Sequence, residues 1–322
     1  MEIAVIGAGG WGTTLASLLA ETNNVSLWIR EKELLDILKK TRENSWFLPG
    51  IKISEKINLT DSLEVIKDKE LLVMAVPAQF MRSTAKNIKK YFNDQIIVTV
   101  AKGLEIGTDE RMSEILEEEL DSEKVIALSG PNHCEEVSRK IPAATVIACE
   151  NMELLKKVQP VFNRNYFKVF VHDDIVGVEL CGSIKNITAI ACGVVDGMGY
   201  GDNTRASIIT LGLTEMNSFS RHFGAKRATI YGLAGVGDLV ATCTSKLSRN
   251  RFVGEKIAQG KSMQEIKAEM HGMVAEGVTT AKAVYEFSMK HNINMQLTTQ
   301  VYKVLYEGKE LKNAIKDLIR LI

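Results

Sequence analysis

An α/β fold, with a doubly wound sheet followed by an all-helical C-terminal domain, is what this 322-residue sequence predicts. Three observations carry that expectation. Short apolar runs alternate with helix-like segments through the first half. A glycine-rich turn joins the first run to the first helix. Past residue 176 the strand signals fade, and helical periodicity takes over.

The elements follow in order. Ile3–Ile6 is a short strand rich in β-branched residues. Gly7, Gly9, Gly10 and Gly12 then surround Trp11, and Leu15, Leu18 and Leu19 give the next segment helical spacing. Val25–Ile29, Leu71–Val76, Ile96–Val100, Val125–Leu128 and Thr145–Ala148 are further runs of strand length. Arg111–Leu120 and Met152–Val158 read as helices between them. Alternation of this kind predicts a parallel sheet with helices on both faces. Beyond it the helical segments are Val178–Tyr200, Arg205–His222, Arg251–Ala258, Met263–Met270, Thr279–His291, Thr298–Leu305 and Leu311–Ile322. The expected domains are 1–176, binding a dinucleotide, and 177–322, binding a substrate.

Composition narrows the function. Forty basic residues balance forty acidic ones, so no nucleic-acid footprint is expected. The longest apolar run is interrupted by Lys185, and a membrane span is not expected. Cys134, Cys149, Cys181, Cys192 and Cys243 form no CxxC pair, so they read as small buried hydrophobes with no metal role. The expected location is cytoplasmic.

The chemistry starts at the glycine turn. A strand, a GxGxxG turn and a helix N-terminus are what a dinucleotide pyrophosphate needs. At the end of the second strand Arg30 suits adenine or a 2′-phosphate, and Glu31 suits a ribose hydroxyl, so NAD and NADP both remain open. Lys102 follows the run Ile96–Val100, at the strand end where ligands of open α/β sheets gather. Pro131, at a helix start, leaves N–H groups for a ligand. Between Glu179 and Asp196 the only charge is Lys185. Burial of such a lysine lowers its pKa toward proton-transfer range, unless it snorkels to the surface. In this arrangement Lys185 would face the cleft beside the domain boundary. Asp238 and Thr242 are one helical turn apart; Asp238 is suited to orienting Lys185 or to capping its helix. Ser248, Arg249 and Asn250 open a helix and make a phosphate site, or a capped helix with solvated arginines. Glu276 reads as a ribose ligand or as a complement to the helix dipole.

The set GAGGWGTTLA, MAVPAQ, AKGLE, LSGPNHCEEV, GVELCGSIKNITAIACG, DGMGYGDNTRA, GLAGVGDLVATCTS, SRNR and VAEGV resembles the NAD(P)-dependent glycerol-3-phosphate dehydrogenase family in its bacterial form, over nearly the whole chain. The resemblance implies a Rossmann-like first domain and hydride transfer between NAD or NADP and glycerol 3-phosphate, supplying phospholipid synthesis. It implies Lys185 as proton acceptor, with Lys102 and Asp238 beside it. For the cofactor it implies Gly7, Gly9, Gly10, Trp11, Gly12, Arg30, Lys102, Cys134, Arg249, Val274 and Glu276. For the substrate it implies Lys102, Gly130, Asn132, Lys185, Asp238, Ser248, Arg249 and Asn250, with Asn186 and Thr242 in support. Asn132, Cys134, Gly10 and Ala101 stand where the family more often has Ser or Thr, Ala, Ser and Ser. A homodimer is a further expectation. The competing readings are a non-catalytic sensor that binds the dinucleotide and a dehydrogenase of another hydroxy acid.

Overall fold

A computed structural model describes residues 1–270 and 272–320. The chain divides into two compact units, one of Met1–Ala101 with Met112–Ile175, the other of Lys102–Arg111 with Val176–Ile322. The short segment around Lys102 therefore belongs with the helical unit, although it lies between strands of the sheet.

The first unit is built on eight strands, β1 (Glu2–Ile6), β2 (Asn24–Trp28), β3 (Asn58–Thr60), β4 (Leu71–Met74), β5 (Ile96–Thr99), β6 (Val125–Ser129), β7 (Ala143–Ala148) and β8 (Phe167–His172). Their order in the sheet is β3-β2-β1-β4-β5-β6-β7-β8. β1 lies between β2 and β4, with Ile3 opposite Val25 on one side and Leu71 on the other. The strand order reverses at β1, the crevice where open α/β sheets bind ligands. The glycine-rich turn leaves from the end of this strand. Every residue of β4, β5 and β6 is buried, which is why these strands read as unbroken apolar runs.

The expectation of an all-parallel sheet fails at one place. β7 runs antiparallel to β6, and β8 is parallel to β7. The connection 130–142 contains only the single helical turn Cys134–Val137. A parallel crossover usually carries a full helix; this connection has none, and the chain returns antiparallel. β3 and β8 are strands the sequence reading missed.

The second unit surrounds the helix Ile175–Gly197. By length and composition this helix could cross a membrane, but 94% of its apolar window is buried inside the protein. Leu180, Ile184, Ile187 and Cys192 join Phe219, Leu239 and Val284 in one core. A neighbouring helix, Arg249–Ala258, packs on it backbone to backbone. A Cβ on Gly193 would overlap the Arg251 carbonyl, and one on Gly254 would overlap the Ile190 carbonyl. A buried carboxylate of this unit, Glu215, caps the helix Gln296–Tyr306. It accepts from Leu297 N–H, from Thr298 N–H at 3.0 Å and from the Thr298 hydroxyl at 2.7 Å. Burial pushes its carboxyl up to about 7, against the pull of those donors.

Candidate active site

In the second unit, one carboxylate organises two lysines. The sequence Gly232–Gly237 forms a π-type turn over Leu233–Gly237, running directly into the helix Asp238–Thr244. Gly235 permits this, since a Cβ there would overlap the Ile230 carbonyl. The turn delivers Asp238 as the first helical residue, 2% exposed. Gly237 is the N-cap, so the Asp238 side chain is not spent on capping. Lys185 Nζ donates to Asp238 Oδ1 at 2.5 Å and to Thr242 Oγ1 at 2.7 Å. Lys102 Nζ donates to the other oxygen, Oδ2, at 2.8 Å. Thr242 Oγ1 donates to Asp238 Oδ1 at 3.3 Å.

The electrostatics follow from burial. Desolvation lowers the Lys185 amine to about 7; Lys102 pushes the same way, while Asp238 pulls back. For Asp238, burial alone would raise the carboxyl. The Lys102 and Lys185 ammonium groups outweigh it and hold the group below its ordinary value. Lys185 does not snorkel: it is 5% exposed.

An amide chain extends from this cluster. Asn186 Nδ2 donates to the carbonyls of Lys102 at 3.2 Å and Gly182 at 3.3 Å. Its Oδ1 accepts from Asn250 Nδ2 at 2.9 Å. Asn250 Oδ1 in turn accepts from Gly277 N–H at 2.9 Å. Both ends of the chain, carbonyls at one and an N–H at the other, dictate this single polarity. Ser248 caps the helix Arg249–Ala258 through Arg251 N–H at 3.2 Å. The two arginines of SRNR then separate. Arg249 is exposed, with no ion pair among the described residues, whereas Arg251 is buried and paired with Asp196 at 2.7 Å. Val274 is half-buried just before the helix Glu276–His291, of which Glu276 is the first residue.

The first unit carries the other expected residues. Gly9 is the N-cap of the helix Gly10–Leu19, so no side chain caps it. A Cβ on Gly9 would meet nothing within 4 Å, whereas one on Gly12 would overlap the Gly7 carbonyl. Gly7 has φ +113, and a Cβ there would lie 2.7 Å from Ala75 O. Gly7 and Gly12 thus allow close approach, and Gly9 leaves an open cradle at a helix N-terminus. That arrangement fits a pyrophosphate. Trp11 Nε1 is buried and makes no hydrogen bond among the described residues.

A Cβ on Gly10 would lie 2.7 Å from Phe47 O and 2.9 Å from Cys134 Sγ. The Phe47 carbonyl and the Cys134 thiol together leave no room for a side chain at position 10 as the turn stands. Arg30 forms a separate group, 2.6 Å from Glu31 and 5.5 Å over the Phe80 ring. Gly130 has φ +154 against Thr145, and Asn132 Nδ2 donates to Thr145 Oγ1 at 3.1 Å. Among the described residues no group of three His, Cys, Asp or Glu is placed to hold a metal ion.

Several residues of these clusters escaped the sequence reading. Asn44, fully buried, donates to Ala8 O at 2.8 Å and Thr13 Oγ1 at 2.7 Å, bracing the glycine turn. Gly277 lies so close to Asn250 and Asn186 that a Cβ would come within 2.8 Å of each. Asp196 and Arg251 stood inside quoted motifs without a role. Such long-range polar pairs leave no periodic trace in a sequence.

Comparison with known proteins bears on the whole chain. Residues 2–155 match the family described as NAD-dependent glycerol-3-phosphate dehydrogenase N-terminus, and 174–316 match its C-terminus. A glycerol-3-phosphate dehydrogenase (NAD(P)+) of Chlorobium limicola is 46% identical, over 99% of this chain and 97% of its own length. That of Citrifermentans bemidjiense is 44% identical over 99% and 96%. The crystal structure of glycerol-3-phosphate dehydrogenase from Coxiella burnetii superposes with a TM-score of 0.94 at 34% identity, covering 99% of this chain and 98% of that one. A ketopantoate reductase from Ralstonia eutropha, at 13% identity and TM-score 0.64, shares the fold alone. A doubly wound sheet with its glycine turn, a helical unit with a buried lysine on a buried aspartate and full-length identity near one half leave one assignment: the chain belongs to the NAD-dependent glycerol-3-phosphate dehydrogenase family.

Proposed function

We propose that this chain interconverts glycerol 3-phosphate and dihydroxyacetone phosphate, with NAD(P) as its redox partner. The observation that carries the reading is the buried Lys185 amine, held by Asp238 and Thr242 and flanked by Lys102. The nicotinamide supplies or accepts the hydride. Two of the positions around Lys185 Nζ are taken by bonds to Asp238 and Thr242. In the neutral amine both hydrogens are then used, and a lone pair is left for the substrate hydroxyl. In the ammonium form the remaining position is an N–H, which returns the proton to the carbonyl oxygen. Lys102 adds positive charge beside the oxygen as it becomes anionic. Oxidation of NADH or NADPH by dihydroxyacetone phosphate is the direct test, and no turnover with either cofactor would sink the reading.

We assign the dinucleotide to the first unit, on Gly7, Gly9, Gly10, Trp11 and Gly12, with Arg30 at the adenosine and Cys134 beside the turn. Lys102, Arg249, Val274 and Glu276 are assigned to it from the helical unit. The substrate falls to Lys102, Lys185, Asn186, Asp238, Thr242 and Asn250, with its phosphate at Ser248 and Arg249. Gly130 and Asn132 are assigned to the substrate as well. A cytoplasmic homodimer supplying glycerophospholipid synthesis is the setting we infer.

Two expectations follow. Gly9→Val places its Cβ in the open cradle, where that atom meets nothing within 4 Å. The variant should fold as the parent does and yet bind NADH at least on the order of 10-fold more weakly, because the phosphates need that space. A fluorescence titration indistinguishable from the parent's would contradict the placement. The second concerns pH. Oxidation needs the neutral Lys185 amine, so kcat for glycerol 3-phosphate should rise as pH climbs through about 7. Reduction needs the ammonium form and should fall over the same range. Parallel profiles in the two directions would exclude Lys185 as the titrating group.

A further inference from the structure

Arg251 and Asp196 stand at unfavourable ends of their helices. Arg251 lies in the first turn of Arg249–Ala258, and Asp196 in the last turn of Ile175–Gly197. A helix dipole favours an anion at the start and a cation at the end, so each charge opposes its own helix. Both are nonetheless largely buried, with side chains 9% and 11% exposed. What compensates them is each other. Arg251 Nε donates to Asp196 Oδ2 at 2.7 Å, and its NH2 group lies 2.8 Å from Glu255 Oε1. Arg205 approaches the second Asp196 oxygen at 3.1 Å.

The two helices already touch through Gly193 and Gly254. Flat glycine faces set how close two backbones come, but they leave rotation and sliding weakly determined. The Arg251 guanidinium spans two carboxylates, Asp196 across the helices and Glu255 on its own helix, so its bond to Asp196 is directional and selects one arrangement. The turn it fastens is the one bearing Arg249 and Asn250. We propose that Asp196 and Arg251 are positioning residues for the substrate phosphate. Their ion pair sets the rotation of the helix Arg249–Ala258, and so where the Arg249 guanidinium and the first N–H groups aim. The inference rests on the phosphate site assigned above.

The test compares kcat/KM for dihydroxyacetone phosphate with that for dihydroxyacetone. Asp196→Asn keeps the shape and removes the charge. Misplacement of a binding group by a fraction of the helix radius should reduce the parent's preference on the order of 10-fold to 100-fold, with NADH affinity, to which Arg249 is also assigned, falling by less than that. Arg251→Lys keeps a cation within reach of Asp196 but loses the fork, and should fall between Asp196→Asn and the parent. If both variants fold and both keep the parent's preference, the pair only stabilises the unit and the proposal is overturned. Should Asp196→Asn fail to fold, Arg251→Lys decides by the same ratio. A parent without any preference would overturn the phosphate site itself, and the positioning role with it.

Discussion

Lys185→Met is expected to lower kcat by about 10²–10⁴-fold, the usual contribution of general acid–base catalysis, with NADH affinity nearly retained. The variant should also remain folded, and the reason lies in the cluster. The Lys185 amine titrates near 7 in the folded chain against an ordinary value of 10.5. Between those values the unfolded chain holds a proton that the folded chain sheds. Stability from this group therefore rises with pH across that window, and at neutral pH the lysine is a net cost. Removing it does not strand a charge, because Asp238 keeps Lys102 at 2.8 Å and the Thr242 hydroxyl at 3.3 Å. Methionine fills most of the volume. Thermal unfolding separates lost chemistry from lost fold, and turnover retained at every pH would remove Lys185 from the mechanism.

Lys185 was legible because a lone charge in an apolar stretch is anomalous whatever surrounds it. Asp238 and Thr242 were legible as one face of a helix. The strands β1, β2, β4, β5, β6 and β7 were legible for a related reason, since a strand buried on both faces must be apolar throughout. β3 has only three residues, Asn58–Thr60, with one buried, too little for any pattern. β8 alternates buried Phe167 and Val169 with exposed Lys168 and Phe170, a true period of two that the surrounding charges obscured. The antiparallel return into β7 goes with a connection that holds one helical turn, Cys134–Val137, where a parallel crossover would usually hold a full helix. Asn250 shows the other limit. Its amide is committed to Asn186 and Gly277, far along the chain, and specific pairs of this kind have no local signature. Arg251 would have been read as a solvated charge, and only the fold reveals that it is buried on Asp196.

Arg249→Ala should remove most of the preference for dihydroxyacetone phosphate over dihydroxyacetone. The start of the helix Arg249–Ala258 brings together an exposed guanidinium, the Ser248 hydroxyl and backbone N–H groups at the positive end of the helix dipole. Each favours an anion. Because Ser248 Oγ already accepts from Arg251 N–H, the N–H groups left for a ligand are those of the first two helical residues. The guanidinium then supplies the largest part of the charge. Truncating a charge partner that the bound phosphate buries and hydrogen-bonds costs roughly 2–5 kcal/mol, about 30-fold or more in affinity. Even Arg249→Lys should recover little, since a point charge does not reproduce the fork. Dihydroxyacetone has no phosphate to lose, so its kcat/KM should change far less. If Arg249→Ala lowers both substrates by the same factor, the residue serves the cofactor or the fold instead, and the phosphate must be held elsewhere.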